Sequence, residues 1–192
     1  MRRDIEFKTE DGVTLRGWHY PAQGASGPAP MVIMAHGFSA TREIHLAGFA
    51  EAFQAAGLGV LVYDHRNLGV SDGAPRGHID PWAQVNGYRD AITFAQTMPE
   101  VDPGRIGVWG SSYSGGHVLV VAAIDRRVKC VVAQVPLTYG LETARRLVRG
   151  DHWAGLRGAF DADRAARARG EPGMRMPVTD PSRITPQLCR ML

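Results

Sequence analysis

Residues 105–116 read Arg-Ile-Gly-Val-Trp-Gly-Ser-Ser-Tyr-Ser-Gly-Gly. A short β-prone run, Ile106 to Trp109, meets a cluster of small residues. A helix-compatible run, Gly116 to Ile124, follows. The pattern predicts a strand, a sharp turn and a helix, with a serine at the bend. Such a turn strains the backbone at its apex and lifts the apex side chain clear of the sheet. A Cβ two residues before or after the apex would collide with the adjoining strand or helix, so the neighbours must be small. Three serines compete for the apex. Ser112 has Gly110 two before it, Ser114 two after and Gly115 three after, and it follows the strand directly. Ser114 has Ser112 before and Gly116 after, and lies two residues deeper in the helix. Ser111 would place Trp109 where a small residue is needed. Ser112 is therefore the candidate nucleophile, with Ser114 as its rival. The bland alternative is a Ser/Gly-rich turn that only caps a helix.

The flanking segments extend the pattern. Ile5–Lys8 and Val13–Tyr20 flank Glu10-Asp11-Gly12 and read as a β-hairpin. Met31–Ala35 is a short apolar run, as expected of a strand buried on both faces, and His36-Gly37-Phe38 follows it. Thr41–Ala56 has helical apolar spacing and ends at Gly57. Val60–Tyr63 is a further buried strand, followed by the polar loop Asp64 to Gly73. Pro81 to about Met98 reads as a helix. Val128–Val135 is the most apolar strand of all, and Pro136 stops it. Alternating strands and helices imply a doubly wound, mostly parallel α/β sheet entered through an antiparallel hairpin. In such sheets, chemistry collects beyond the carboxyl ends of the strands. After Pro136 the pattern weakens. Residues 1–136 read as the core, and 137–192 as a lid segment or divergent tail with a helix over Leu141–Leu156.

Composition bounds the rest. The 192 residues suffice for one substantial core, and 44% hydrophobic with 21% charged content is ordinary for a globular chain. No apolar run reaches the roughly 20 residues that span a bilayer. Cys130 lies in an apolar strand and is expected to be buried; Cys189 is near the end. Two distant cysteines suggest no disulfide framework, no metal site and a cytoplasmic location. The net charge of +3 is uneven: residues 145–192 carry ten arginines against five acidic side chains. A solvated arginine-rich lid explains this without an anionic partner. No aromatic interleaving suggests nucleic acid.

The segments His36-Gly37-Phe38, Asp64-His65-Arg66-Asn67-Leu68-Gly69-Val70-Ser71 and Gly110-Ser111-Ser112-Tyr113-Ser114-Gly115, in this order, resemble the α/β-hydrolase superfamily across residues 1–136. Tyr113 directly after the serine is similar to the branch of Xaa-Pro dipeptidyl-peptidases and acyl esterases, and to some polyketide acyltransferases. The resemblance implies a serine hydrolase without cofactor or metal. It would attack the acyl carbonyl of a small-molecule ester, thioester or Xaa-Pro amide through Ser112. It places the oxyanion donors on the backbones of Phe38 and Tyr113. His36 is then a loop-shaping residue, and Asp64 and Arg66 brace the turn. Tyr113, Trp82 and Trp153 are candidate substrate contacts, and Trp109 is core.

The family's triad continues with an acid and then a histidine after later strands. Here only His117 and His152 follow Ser112. His117 stands about 140° round the same helix, facing away from Ser112. His152 lies in the lid segment. No further strands are seen, so the chain reads as lacking the last strands of the fold. Two alternatives stay open: an acyltransferase using the same serine, and a non-catalytic fragment or pseudoenzyme. Val128–Val135 would then be an open edge, through which two copies could pair.

Overall fold

The carboxyl ends of three strands meet at one place, and the sheet order explains why. The computed structural model describes residues 2–176 and residue 178. It contains β1 (Arg3–Lys8), β2 (Thr14–Tyr20), β3 (Ala29–Ala35), α1 (Leu46–Ala55), β4 (Gly59–Tyr63), α2 (Pro81–Ala95), β5 (Val101–Ser111), α3 (Tyr113–Ile124) and β6 (Val128–Gln134). The strand order is β1-β2-β4-β3-β5-β6. β1 and β2 pair antiparallel, and β2 joins β4 antiparallel. The β4-β3-β5-β6 ladders are all parallel. From β3 the chain steps outward to β4, then crosses back to β5 on β3's other side. That reversal leaves a crevice beyond the ends of β3 and β5, where open α/β sheets bind ligands.

Period-two alternation splits the core between the two faces of the sheet. Met31, Ile33, Ala35, Leu61, Tyr63, Ile106 and Val108 pack with Val85, Tyr88 and Ile92 of α2 and Val118 and Val121 of α3. Met34, Val60, Val62 and Trp109 face the other way, with Leu46 and Ala50 of α1. Asp80 caps α2 by accepting from Trp82 N–H (2.9 Å) and Ala83 N–H (3.0 Å), and Pro81 occupies the first turn, where no N–H is missed. α1 is shorter than its spacing suggests. Residues 41–45 form turns, and His45 precedes the helix with φ 60°.

β6 departs from expectation. Its apolar residues suggest burial on both faces, yet it is the edge of the sheet and its positions are half-buried or exposed. Cys130 is exposed, not buried, because no further strand flanks it among the described residues. The strand ends at Gln134, since Val135 takes φ 40° and leaves the extended conformation.

The chain divides into two units, the first ending at Thr138. The second contains α4 (Gly140–Leu147), a 3₁₀ turn (Gly150–His152) and α5 (Trp153–Ala168), where one helix over Leu141–Leu156 was expected. Residues 148–152, which include the 3₁₀ turn, separate the helices. No residue of α4 or α5 is buried, and their arginines pair locally: Arg146 with Glu142 (3.1 Å) and Arg167 with Asp163 (2.8 Å). Exposed pairs of this kind contribute about 0–1 kcal/mol each. Cys189 lies outside the described residues. No helix among the described residues is long and apolar enough to cross a membrane.

Candidate active site

The turn between β5 and α3 carries its strain at one residue. Ser112 has φ 55° and ψ −110°, a region that costs a non-glycine residue about 1–3 kcal/mol. Besides the helical bond from Gly116 N–H to Ser112 O (3.2 Å), two main-chain hydrogen bonds hold it there. Ser112 N–H donates to Gln134 O at 2.9 Å, and Leu137 N–H donates to Ser112 O at 2.9 Å. The end of β6 thus brackets the turn. The small residues serve contacts that a side chain would block. A Cβ on Gly110 would fall on the Ser114 carbonyl, one on Gly116 on the Leu137 carbonyl, and one on Gly115 would come 2.9 Å from Gln134 O. With the backbone so compressed, the Ser112 side chain is left exposed.

Ser114, the rival, is fully buried. Its hydroxyl donates to the His36 carbonyl, which is the last peptide before Gly37. It therefore has no proton for His65 Nε2, which stands 2.8 Å from the same oxygen. His65 must donate there, so it carries its proton on Nε2. His65 N–H in turn donates to His36 Nε2 at 3.1 Å. That makes Nε2 of His36 an acceptor, and its protonated Nδ1 donates to Gly37 O at 2.9 Å. Both imidazoles are neutral. Burial pushes their pKa values down, His65 well below the usual range. His65 Nδ1 is buried without a partner.

The turn after β3 lies directly against the apex. A Cβ on Gly37 would come 3.2 Å from Ser112 Cβ and 3.3 Å from Ser111 O. The rings of Phe38 and Tyr113 meet edge to face, 5.4 Å between centroids. The structure thus brings Ser112, Phe38 and Tyr113 together, and neither the Phe38 N–H nor the Tyr113 N–H makes a hydrogen bond among the described residues. The Tyr113 N–H also begins α3, where the helix dipole favours negative charge. Beside Tyr113 an apolar groove is lined by Pro81, Gly116, Leu119, Val120 and Leu137.

A family model for X-Pro dipeptidyl-peptidases (S15 family) matches residues 11–169. The chain belongs to the S15 family. A thiohydrolase of Eupenicillium brefeldianum is 49% identical over 137 residues, 71% of this chain and 44% of that protein. The quorum-quenching protein AidA of Acinetobacter baumannii (strain MDR-ZJ06) is 38% identical over 141 residues, 73% of this chain and 46% of that protein. The α/β hydrolase GrgF from Penicillium sp. sh18 superposes with a TM-score of 0.77 at 36% identity, over 97% of this chain and 61% of GrgF. The fold is that of the α/β hydrolases, and this S15-family chain spans less than half the length of the first two relatives.

The remaining residues of this S15-family chain divide into braces and bystanders. Asp64 accepts from Arg42 N–H (2.6 Å) and Val70 N–H (3.1 Å), and Gly69, at φ 49°, lets its own loop close over the carboxylate. Asp64 is a brace for that loop. Arg66 reaches the β1–β2 turn instead, donating to Asp11 at 2.5 and 2.7 Å. Trp109 is buried in the core against Phe49. Trp82 is exposed and faces a polar depression with Asp80, Asp90 and Arg66. His117 is buried beside Tyr113, its Nε2 2.9 Å from Gln84 Oε1, and burial lowers its pKa to about 4. His152 belongs to the second unit. Among the described residues no group of His, Cys, Asp or Glu could hold a metal ion. Isolated and without metal-ligand spacing, His65 shows no role in the sequence alone. Its place directly after Asp64, at the carboxyl end of β4, was the available signal.

Proposed function

We propose that this chain carries the nucleophile and oxyanion site of a serine hydrolase acting on small-molecule thioesters or esters. The observation that carries the reading is the strained, exposed Ser112 packed against Gly37, with two N–H groups free beside it. Ser112 Oγ attacks the acyl carbonyl and forms an acyl-enzyme. The N–H groups of Phe38 and Tyr113 receive the developing oxyanion; one such donor is worth about 2.7–4 kcal/mol of transition-state stabilisation. The thiohydrolase relatives favour a thioester, and the groove beside Tyr113 suits an apolar acyl chain. A second reading, transfer of the acyl group to a nucleophile other than water, is favoured by relatives named polyketide transferases. The exposed Cys130 thiol suits a reducing cytoplasm.

His36 and His65 are committed to hydrogen bonds within the fold, and His117 faces Gln84. None of these three is placed to deprotonate Ser112. The 192-residue chain is expected to hydrolyse p-nitrophenyl acetate far more slowly than a complete triad would, since without a general base only about 10³–10⁴-fold catalysis over water is retained. In an active, full-length protein that supplies the base, a fluorophosphonate probe is expected to label Ser112, and Ser112→Ala to abolish labelling. An adduct mapped to Ser114, or unchanged labelling of the Ser112→Ala variant, would overturn the reading. Fast turnover lost in Ser112→Ala would show that a base is present, and would leave a pseudoenzyme out of consideration.

A further inference from the structure

We propose that Ser114 is a positioning residue that sets the gap between the two halves of the oxyanion site. The inference rests on the reading of Ser112 as nucleophile. The two donors come from separate segments: Phe38 N–H from the turn after β3, and Tyr113 N–H from the start of α3. The β3–β5 ladder ends at Ala35 and Gly110, and beyond it no main-chain hydrogen bond joins the two segments among the described residues. Their spacing must nevertheless be held to a fraction of an ångström, since a displacement of about 1 Å can cost 10²-fold in rate.

Ser114 stands one residue beyond Tyr113 on the first turn of α3, and its hydroxyl donates to the carbonyl of His36, two residues before Phe38. It is a direct tie between the helix and the turn. His65 fixes the direction of that tie. Its Nε2–H fills the acceptor side of Ser114 Oγ, so the serine proton is left to the His36 carbonyl. The His65 main-chain N–H also holds the His36 ring, whose other nitrogen holds Gly37 O. The four hydrogen bonds link both sides of the turn to one helix N-terminus. A buried serine needed only for packing would not require a neutral histidine bonded in one tautomer, nor the carbonyl of this particular peptide.

The test separates oxyanion chemistry from general integrity. In a Ser112→Cys background, two reactions of the position-112 thiol are followed by mapping its peptide. p-Nitrophenyl acetate acylates the thiol: an S–C bond forms through a tetrahedral oxyanion, p-nitrophenolate leaves and the thiol proton goes to solvent. Iodoacetamide alkylates it by direct displacement of iodide, with no oxyanion. Adding Ser114→Ala is expected to slow acylation about 10–100-fold, in the range set by mispositioning or losing one donor, and to leave alkylation unchanged. Ser114→Thr, which keeps the hydroxyl, is expected to recover most of the acylation rate. If Ser114→Ala does not fold, His65→Phe carries the same comparison, because it removes the donor that orients Ser114. Acylation and alkylation falling together, or neither falling, would overturn the proposal. If position 112 in the parent is acylated no faster than the exposed Cys130, relative to alkylation, the oxyanion reading itself fails and the proposal falls with it.

Discussion

Ser112 shows how one residue can be unfavourable for stability and necessary for chemistry. Its φ of 55° is held by the Gln134 and Leu137 hydrogen bonds, not by its own preference. Glycine adopts positive φ without a Cβ penalty. Ser112→Gly is therefore expected to be more stable than Ser112→Ala by about 1–2 kcal/mol, as relief of strain at a functional position predicts. Both variants lose the Ser112 nucleophile. Equal urea midpoints for the two would show that the turn stores no strain. A second residue-scale prediction concerns His19, which the sequence left without a role. It is fully buried in β2, neither ring nitrogen is hydrogen-bonded, and Glu100 stands 3.6 Å from Nδ1. Burial, with the Arg3 charge, lowers its pKa to about 4, and burial lowers those of His36, His65 and His117 as well. An unfolded histidine titrates near 6.5. Below that pH the unfolded chain takes up protons that the folded chain refuses. Stability is thus complete above about pH 6.5 and falls as the pH drops toward 4, by an amount on the order of 1–3 kcal/mol each for His19 and His117, with His36 and His65 acting in the same direction. His19→Leu should flatten this decline, giving a higher urea midpoint than the parent at pH 5. A variant whose profile merely parallels the parent's would show that His19 does not titrate as described.

At the scale of elements, the strand-turn-helix of β5 and α3 depends on backbones approaching where no side chain fits. Gly110→Ala would place a methyl group on the Ser114 carbonyl, backbone that cannot swing away. It is expected to destabilise by about 2–3 kcal/mol, as overpacking does. It should also expose the turn to limited proteolysis before the remainder of the first unit. A wild-type melting temperature in Gly110→Ala would mean that the turn is looser than described. These elements were legible in the sequence because their signals are local. The small residues around Ser112 mark a tight turn, the apolar runs Met31–Ala35 and Val60–Tyr63 mark buried parallel strands, and Pro81 marks a helix start. The tie among Ser114, His65 and His36 was not legible. It joins three segments 29 and 49 residues apart in sequence, and which atom donates follows only from counting protons at atoms already in place. The burial of β6 was misjudged for a related reason. Apolar composition reports what a strand could bury, whereas exposure depends on whether another element stands beside it.

Across the whole molecule the two edges of the sheet differ. β1 closes one edge with charged, exposed residues, Arg3, Asp4, Glu6 and Lys8, which discourage pairing with another chain. β6 forms the other edge with no such protection except Lys129. Val132 is 42% exposed, Cys130 is exposed, and β5 pairs with one side of the strand only. An antiparallel pairing of two copies centred on Val131 would set Lys129 opposite Ala133 and Cys130 opposite Val132. Like charges would not meet, and the apolar residues of one face would run on across the joint. The expected outcome is a dimer, or larger aggregates, through the stretch Val128 to Val135, with pairing along Val128–Gln134. Sedimentation at high micromolar concentration should show association. Val131→Pro, which removes a ladder donor, or Val132→Lys, which adds a charge, should shift the protein to monomer while leaving the thermal transition of the first unit in place. A monodisperse parent monomer whose Val128–Gln134 amides exchange slowly would sink this prediction, because the strand would then be protected by its own chain.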